Sequence, residues 1–243
     1  MTDSAAAPSP DPASAARRRS AAHVVVDHIG SDDDDTVLLD DDVEHHLRRV
    51  LRLRTGESVT VTDLAGRWRE GEVTGGRDRL QLATRGPVVV EPAPLRSPTL
   101  AVAIPKGDRL DWMVQKVTEL GVGRLVLLHA DRSTTRWPAE RTTAQLDRLA
   151  RIAVEACRQS RRVWGVDIEG PIAAAEVLAG AVVAEPGGRP LAAGDTTIAI
   201  GPEGGWSDEE LSIAGDHVSL GPHILRVETA AIAATALCVA LGH

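Results

Sequence analysis

The sequence predicts an α/β protein, a mainly parallel sheet covered by helices, preceded by a small β-barrel. Three observations lead there. Residues 23–90 run in short strand-like stretches parted by Gly and Asp turns, the rhythm of a small barrel. From residue 98 onward strand-like and helical runs alternate, which sets strands parallel and lays helices over them. Two of the later strands run straight into glycine-rich turns, and in open α/β sheets small ligands sit beyond the strand carboxyl ends.

Residues 1–20, rich in Ala, Pro and Ser, read as a disordered tail. A barrel domain over 21–92 is expected from strands at 24–26, 37–39, 58–61, 68–73 and 79–82. One helix, 43–51, interrupts it, with Leu47, Val50 and Leu51 expected inward and Arg48, Arg49 and Arg52 outward. Pro92, Pro94 and Pro98 mark a linker over 91–98. The second domain, 98–243, opens with a strand at 100–104, a helix at 109–120 stopped by Gly121, and a strand at 124–129. A long helix follows over 138–162, then strands at 181–184, 196–200 and 217–220, and a last helix at 227–241.

Composition narrows the class. A chain of 243 residues supports one large or two modest domains. No apolar stretch approaches the roughly 20 residues that span a bilayer, so no membrane partner is expected. Asp27 and His28 interrupt the apolar run behind Arg17-Arg18-Arg19, leaving no export-signal core, and the expected location is cytoplasmic. Cys157 and Cys238 have no metal-type spacing and read as free thiols; His129, His217 and His223 show no ligand spacing either, so no metal is assigned. The net charge is -8, but residues 1–43 hold ten of the aspartates against three arginines, which leaves the remainder close to neutral. Against that remainder local arginine clusters can meet phosphate.

The first turn is Ile200-Gly201-Pro202-Glu203-Gly204-Gly205-Trp206, and the second Leu220-Gly221-Pro222-His223-Ile224-Leu225-Arg226. Glycines there let backbone N–H and C=O groups approach a ligand closely. Such edges suit a flat slot with backbone hydrogen bonds, the kind an adenine needs. A nicotinamide site would carry Gly-x-Gly-x-x-Gly after the first parallel strand, where Ala103-Ile104-Pro105-Lys106-Gly107 stands instead, and there is no Walker lysine. Glu203 has an alternative role as cap of a helix starting near Ser207, where Asp208, Glu209 and Glu210 favour the positive dipole end. On the long helix Arg141, Arg148, Arg151, Arg158 and Arg162 share one face, opposite Leu146, Leu149, Ile152, Ala153 and Ala156. That arginine face is either solvated surface or a set of phosphate forks. Arg48, Arg49, Arg52 and Arg54 form a similar patch on the barrel.

The two turns, with the run Asp111-Trp112-Met113-Val114-Gln115-Lys116-Val117-Thr118-Glu119-Leu120-Gly121 and the run Glu155-Ala156-Cys157-Arg158-Gln159-Ser160-Arg161-Arg162, resemble the RsmE family of small-subunit ribosomal RNA methyltransferases. The resemblance runs from about residue 21 to the C-terminus. It implies a PUA-like RNA-binding barrel, then a SPOUT-type, trefoil-knotted α/β methyltransferase domain that binds S-adenosyl-L-methionine. It further implies N3 methylation of a uridine in 16S rRNA of the small ribosomal subunit, and a homodimer. Ile200 to Gly205, with Leu220, Gly221, Ile224, Leu225 and Arg226, then become the cofactor residues. The arginine patches, with Arg132 and Ser133, become RNA contacts.

For transfer to uracil N3 the ring must lose a proton whose pKa lies above neutral, so a base or an anion-stabilising cation is needed. Arg226 is the first choice for the cation. Glu228 reads equally as the base or as a carboxylate in the first turn of the last helix. Arg132 and Ser133 resemble the family's Arg-Ser loop, which implies a hold on the target nucleotide and makes Arg132 a third candidate for the chemistry. After Arg162 this chain has Val163-Trp164-Gly165 where the family often has proline, so residues 163–170 carry no detailed mapping. Two alternatives stay open: a non-catalytic RNA-binding or ribosome-assembly protein of the same fold, and a methyltransferase of the same class acting on another base.

Overall fold

The computed structural model describes residues 12–37, 39–75, 79–95 and 97–242. Residues 1–11 of the expected tail, and Leu38 of the expected strand 37–39, lie outside them. The chain divides into two compact units, Met1–Pro92 with Arg161–Val163, and Ala93–Ser160 with Trp164–His243.

The first unit begins with a helix, α1 (Pro12–Arg19), so the expected tail does not extend through these residues. The Arg17 guanidinium lies 5.1 Å from the Trp68 ring centroid and pairs with Glu91, a cation–π and ionic anchor that an Ala-rich helix needs to stay ordered. Strands β1 (Ala22–Val25), β2 (Thr36–Val37), β3 (Ser58–Thr62), β4 (Arg67–Gly75) and β5 (Leu80–Val90) form one sheet in the order β1-β3-β4-β5-β2. Val59, Val61, Val73 and Leu82 are buried on one face of it, and Trp68, opposite Thr62 of β3, is buried on the other.

The helix between β2 and β3 departs from expectation. α2 (Asp41–His45) is capped by the Asp40 carboxylate, which accepts the Val43 N–H at 2.6 Å, and passes into a π turn at His46–Val50. There the Leu51 N–H donates to the His46 carbonyl five residues back. The wider turn rotates the last residues of the helix about its axis. Leu47 stays buried, but Val50 and Leu51 are 62% and 44% exposed instead of facing inward.

The second unit holds β6 (Thr99–Ala103), α3 (Arg109–Leu120), β7 (Arg124–His129), α4 (Ala139–Ser160), β8 (Asp167–Ala173), α5 (Ala175–Leu178), β9 (Val182–Pro190), β10 (Thr197–Ile200), α6 (Asp208–Ile213), β11 (Asp216–Ser219) and α7 (Val227–Gly242). All six strands are parallel, in the order β11-β9-β10-β6-β7-β8. Side chains alternate to two cores. Leu100, Leu125 and Ile198 meet Met113 of α3, Leu149 of α4 and Ala231 of α7; Ala101, Leu128 and Ala199 meet Leu178 of α5 and Trp206.

Gly121, at φ 110°, ends α3 by donating to the Val117 and Thr118 carbonyls, as its position in the sequence predicts. α4 ends at Ser160, two residues before its expected end, because Arg161 adopts a left-handed φ of 59°. Its guanidinium binds the backbone carbonyls of Arg17 and Ser20. Arg162 therefore belongs to the first unit and not to the α4 arginine face. No helix among the described residues is long and apolar enough to cross a membrane.

Candidate functional site

The site follows from where the chain goes after each central strand. After β6 it enters α3, on one face of the sheet; after neighbouring β10 it enters the loop that seats Trp206 on the other face. Such divergence opens a crevice outside the strand carboxyl ends. A cavity of about 510 Å³ lies there, walled by Ala184 to Pro186 of β9, by Ile200 to Trp206 after β10, and by Ser219 to Gly221 and His223 to Val227 after β11, with Ala230. That volume suits a nucleoside-sized ligand. Every expected cofactor residue is on its wall: Ile200, Gly201, Pro202, Glu203, Gly204, Gly205, Leu220, Gly221, Ile224, Leu225 and Arg226.

The glycines differ in their reasons. A Cβ on Gly201 would lie 2.8 Å from the Trp206 ring, so the absence of a side chain lets the buried indole close under the loop. One on Gly204 would meet Arg132 at 3.2 Å rather than the cavity. Gly205, at φ 70°, closes a turn by donating to the Pro202 carbonyl at 2.9 Å. Gly221, at φ 147°, faces open space, as Gly205 does, so at these two of the four the backbone edge is both strained for other residues and unobstructed.

Glu203 is exposed and does not cap α6. Ser207 does: its hydroxyl accepts the Glu210 N–H at 3.2 Å, and the Glu210 carboxylate accepts the Ser207 N–H at 2.9 Å, a complete capping box. Glu203 is thereby left to face the cavity.

Arg226 is exposed, and no hydrogen bond or ion pair holds its guanidinium among the described residues. Glu228 sits elsewhere. It is 6% exposed, with Oε1 3.7 Å from Arg109 Nε and Oε2 without a hydrogen-bond partner, and it is not among the described residues that wall the cavity. These surroundings favour its structural role. Arg132 is exposed on the loop after β7, while Ser133 is engaged in that loop's own turn, its Oγ accepting the Ala130 N–H at 3.0 Å. His129, at the end of β7, accepts the Trp137 N–H at 3.3 Å; burial, reinforced by the Arg136 charge, pushes its pKa below the ordinary imidazole value and suits this neutral acceptor role.

The arginine face of α4 is only partly available. Arg148 pairs with Asp111 and Gln145, and Arg158 with Glu155, so intramolecular acids already satisfy them. Arg151 is exposed and reaches the Asp147 carbonyl at 3.3 Å. On the first unit Arg49, Arg52 and Arg54 are exposed and carry no ion pair among the described residues, whereas Arg48 lies 3.7 Å from Glu44. Glu185 and Pro186 on the cavity wall escaped sequence reasoning, because a strand containing Pro186, Gly187 and Gly188 has no strand-like pattern. The Ser207-to-Glu210 capping box was legible as Ser-x-x-Glu.

A parallel sheet with ligand-sized space between glycine turns at its carboxyl edge is the arrangement by which open α/β enzymes bind nucleotide-type cofactors. Comparison with known proteins makes the class definite. The family described as "RNA methyltransferase domain" matches residues 91–239, and "RNA methyltransferase PUA domain" matches 39–84. The chain is 34% identical to ribosomal RNA small subunit methyltransferase E of Synechocystis sp., covering 81% of this chain and 70% of that one. It is 30% identical to the protein of that name from Rickettsia conorii, over 82% and 86%. A crystal structure of ribosomal RNA small subunit methyltransferase E from Neisseria gonorrhoeae bound to S-adenosyl methionine superposes with a TM-score of 0.77 at 28% identity, covering 89% of this chain and 95% of that one. The chain belongs to the ribosomal RNA small subunit methyltransferase E family, with a PUA domain followed by an α/β RNA methyltransferase domain.

Proposed function

We propose that this protein methylates N3 of one uridine in 16S rRNA of the small ribosomal subunit, using S-adenosyl-L-methionine bound between the turns after β10 and β11. The observation that carries this reading is the coincidence of the cavity with both glycine turns. Backbone groups of 200–205 and 220–225 suit the adenosine portion, and the open, left-handed Gly221 leaves that edge free. The cofactor supplies an electrophilic methyl group on a sulfonium.

The chain's own task is to make N3 nucleophilic. Arg226 stands at the cavity wall with its guanidinium unpaired, where it stabilises the charge that develops on a uracil carbonyl as the N3 proton passes to solvent water. Arg132, exposed on the loop touching Gly204, holds the nucleotide. Glu228 supports the start of α7 by its pairing with Arg109. Arg49, Arg52 and Arg54 meet RNA phosphates. The protein works in the cytoplasm, where the subunit matures. We assign it a homodimer, since α7 is apolar around most of its circumference while Leu237 and Leu241 on it, and Ile224 before it, are exposed.

Incubation of the protein and S-adenosyl-L-methionine with small subunits lacking the modification, followed by nucleoside mass spectrometry, tests the reading. A 3-methyluridine product is expected; methylation on ribose or on another base would replace the N3 assignment, and no transfer would refute it.

A further inference from the structure

The loop after β7, which carries Arg132, and the loop after β10, which walls the cavity, are fastened together by one buried carboxylate. Glu210 is 4% exposed. Its Oε2 accepts the Ser207 N–H at 2.9 Å, an ordinary capping contact within its own helix. Its Oε1 does something a cap does not require: it accepts the backbone N–H of Asp131, 79 residues earlier, at 2.9 Å. Ser207 Oγ donates to the Asp131 carboxylate at 2.6 Å, which closes the ring. Beside that ring Gly204 lies so close to the Arg132 backbone that a Cβ there would stand 3.3 Å from the Arg132 carbonyl oxygen.

A buried carboxylate that accepts charge-assisted bonds from two different segments fixes both, because losing either N–H donor leaves a buried carboxylate oxygen without its partner. Residue 131 is held immediately before Arg132, so the fixed point is one peptide from the candidate nucleotide-holding side chain. We propose that Glu210 is a positioning residue for methyl transfer, which locks the Arg132 loop onto the cofactor loop so that Arg132 and the cofactor face the target base in one geometry. The proposal rests on the methyltransferase reading and on the place of Arg132 in it.

The substitution Glu210→Gln keeps size and burial but turns one of the two acceptors into an N–H donor facing an N–H. Ser207→Ala is the companion variant, since it removes the hydroxyl's cap and its bond to the Asp131 carboxylate while leaving the bond from Glu210 to the Asp131 amide. Amide hydrogen exchange in the cofactor-free protein is the first readout: residues 131–133 should exchange at least about tenfold faster in Glu210→Gln and much less so in Ser207→Ala. The second is a double-mutant cycle on single-turnover methylation of small subunits. Arg132→Ala should slow transfer about tenfold or more in the wild-type background and less than about threefold in Glu210→Gln, whereas in Ser207→Ala its full effect should remain. Thermal midpoints of all variants report any common loss of stability. Equal exchange in both variants, or an Arg132→Ala effect unchanged by Glu210→Gln, would reduce Glu210 to a helix cap and overturn the proposal. No effect of Arg132→Ala in an active enzyme would overturn it by removing the residue to be positioned. Failure of the wild-type protein to methylate RNA is the separate result that defeats the underlying reading, and the positioning role with it.

Discussion

Gly201→Ala should weaken cofactor binding by forcing the loop away from Trp206, not by placing a side chain in the cavity. The added Cβ would lie 2.8 Å from Trp206 Cε2, 2.9 Å from Nε1 and 3.1 Å from Cδ2. Carbon contacts are comfortable at about 3.5–4.0 Å, so ring and loop must part by roughly 0.7 Å. The ring has little room to yield, since Trp206 is 3% exposed and packs among Ala101, Val126, Leu128, Val183 and Ala199. Overpacking of this kind costs about 1–3 kcal/mol. In the free protein the loop can relax outward; binding must draw it back, so much of the cost falls on the complex. At 1.4 kcal/mol per decade the dissociation constant for S-adenosyl-L-methionine should rise about tenfold. The thermal midpoint should fall by several degrees, on a scale of about 2–4 °C per kcal/mol. Titration calorimetry and a melting curve measure both. Adding Trp206→Leu should recover part of the lost affinity by vacating the space. Wild-type affinity and melting in Gly201→Ala would refute the reasoning, because the loop would then not depend on its contact with Trp206.

Three further outcomes are expected. Arg226→Ala should slow single-turnover methylation about 100-fold while barely changing cofactor affinity, as removal of one preorganised electrostatic donor does; a near-normal rate would eliminate Arg226 as a catalytic residue. Replacing Arg49, Arg52 and Arg54 with Gln should flatten the dependence of log RNA affinity on log salt by about 0.7–0.9 per lost phosphate contact, whereas Gln at the acid-paired Arg148 and Arg158 should leave the slope unchanged. Burial of His23, set between the Thr60 hydroxyl at 2.8 Å and the Arg162 carbonyl at 2.9 Å, lowers its pKa from 6.5 to about 4. The unfolded chain therefore takes up a proton at 6.5 that the folded one refuses until about 4, so acid should remove about 3 kcal/mol of stability by pH 4; chemical denaturation of His23→Gln across that range should lack this component.

Much of the architecture was legible because the second unit follows simple rules. β7 carries an unbroken apolar run, Leu125 to Leu128, buried on both faces, and α3 ends at a glycine placed where its left-handed cap is needed. The unread parts have physical causes. β8 contains Gly170, whose left-handed φ of 102° and approach to the Leu127 carbonyl at 2.4 Å from a notional Cβ mark a bulge that interrupts alternation. β9 contains Gly188 for a similar reason, its missing Cβ making room for the backbone of His217 and Val218. The cofactor turns were visible because their requirement is local. Long-range pairing was not: nothing in the pattern of α4 reveals that Asp111 claims Arg148, or that Arg161 ends the helix and leaves Arg162 in the first unit. The π turn likewise defeated the helical wheel at Val50 and Leu51.

The most direct measurement is mass spectrometry of 16S rRNA from a strain lacking this gene, compared with the same strain carrying the wild-type gene or its Arg226→Ala form. One uridine should lose a base methyl group on deletion, regain it with the wild-type gene, and remain largely unmodified with Arg226→Ala protein at equal abundance. An rRNA methylation pattern identical in the presence and absence of the gene would contradict the assignment.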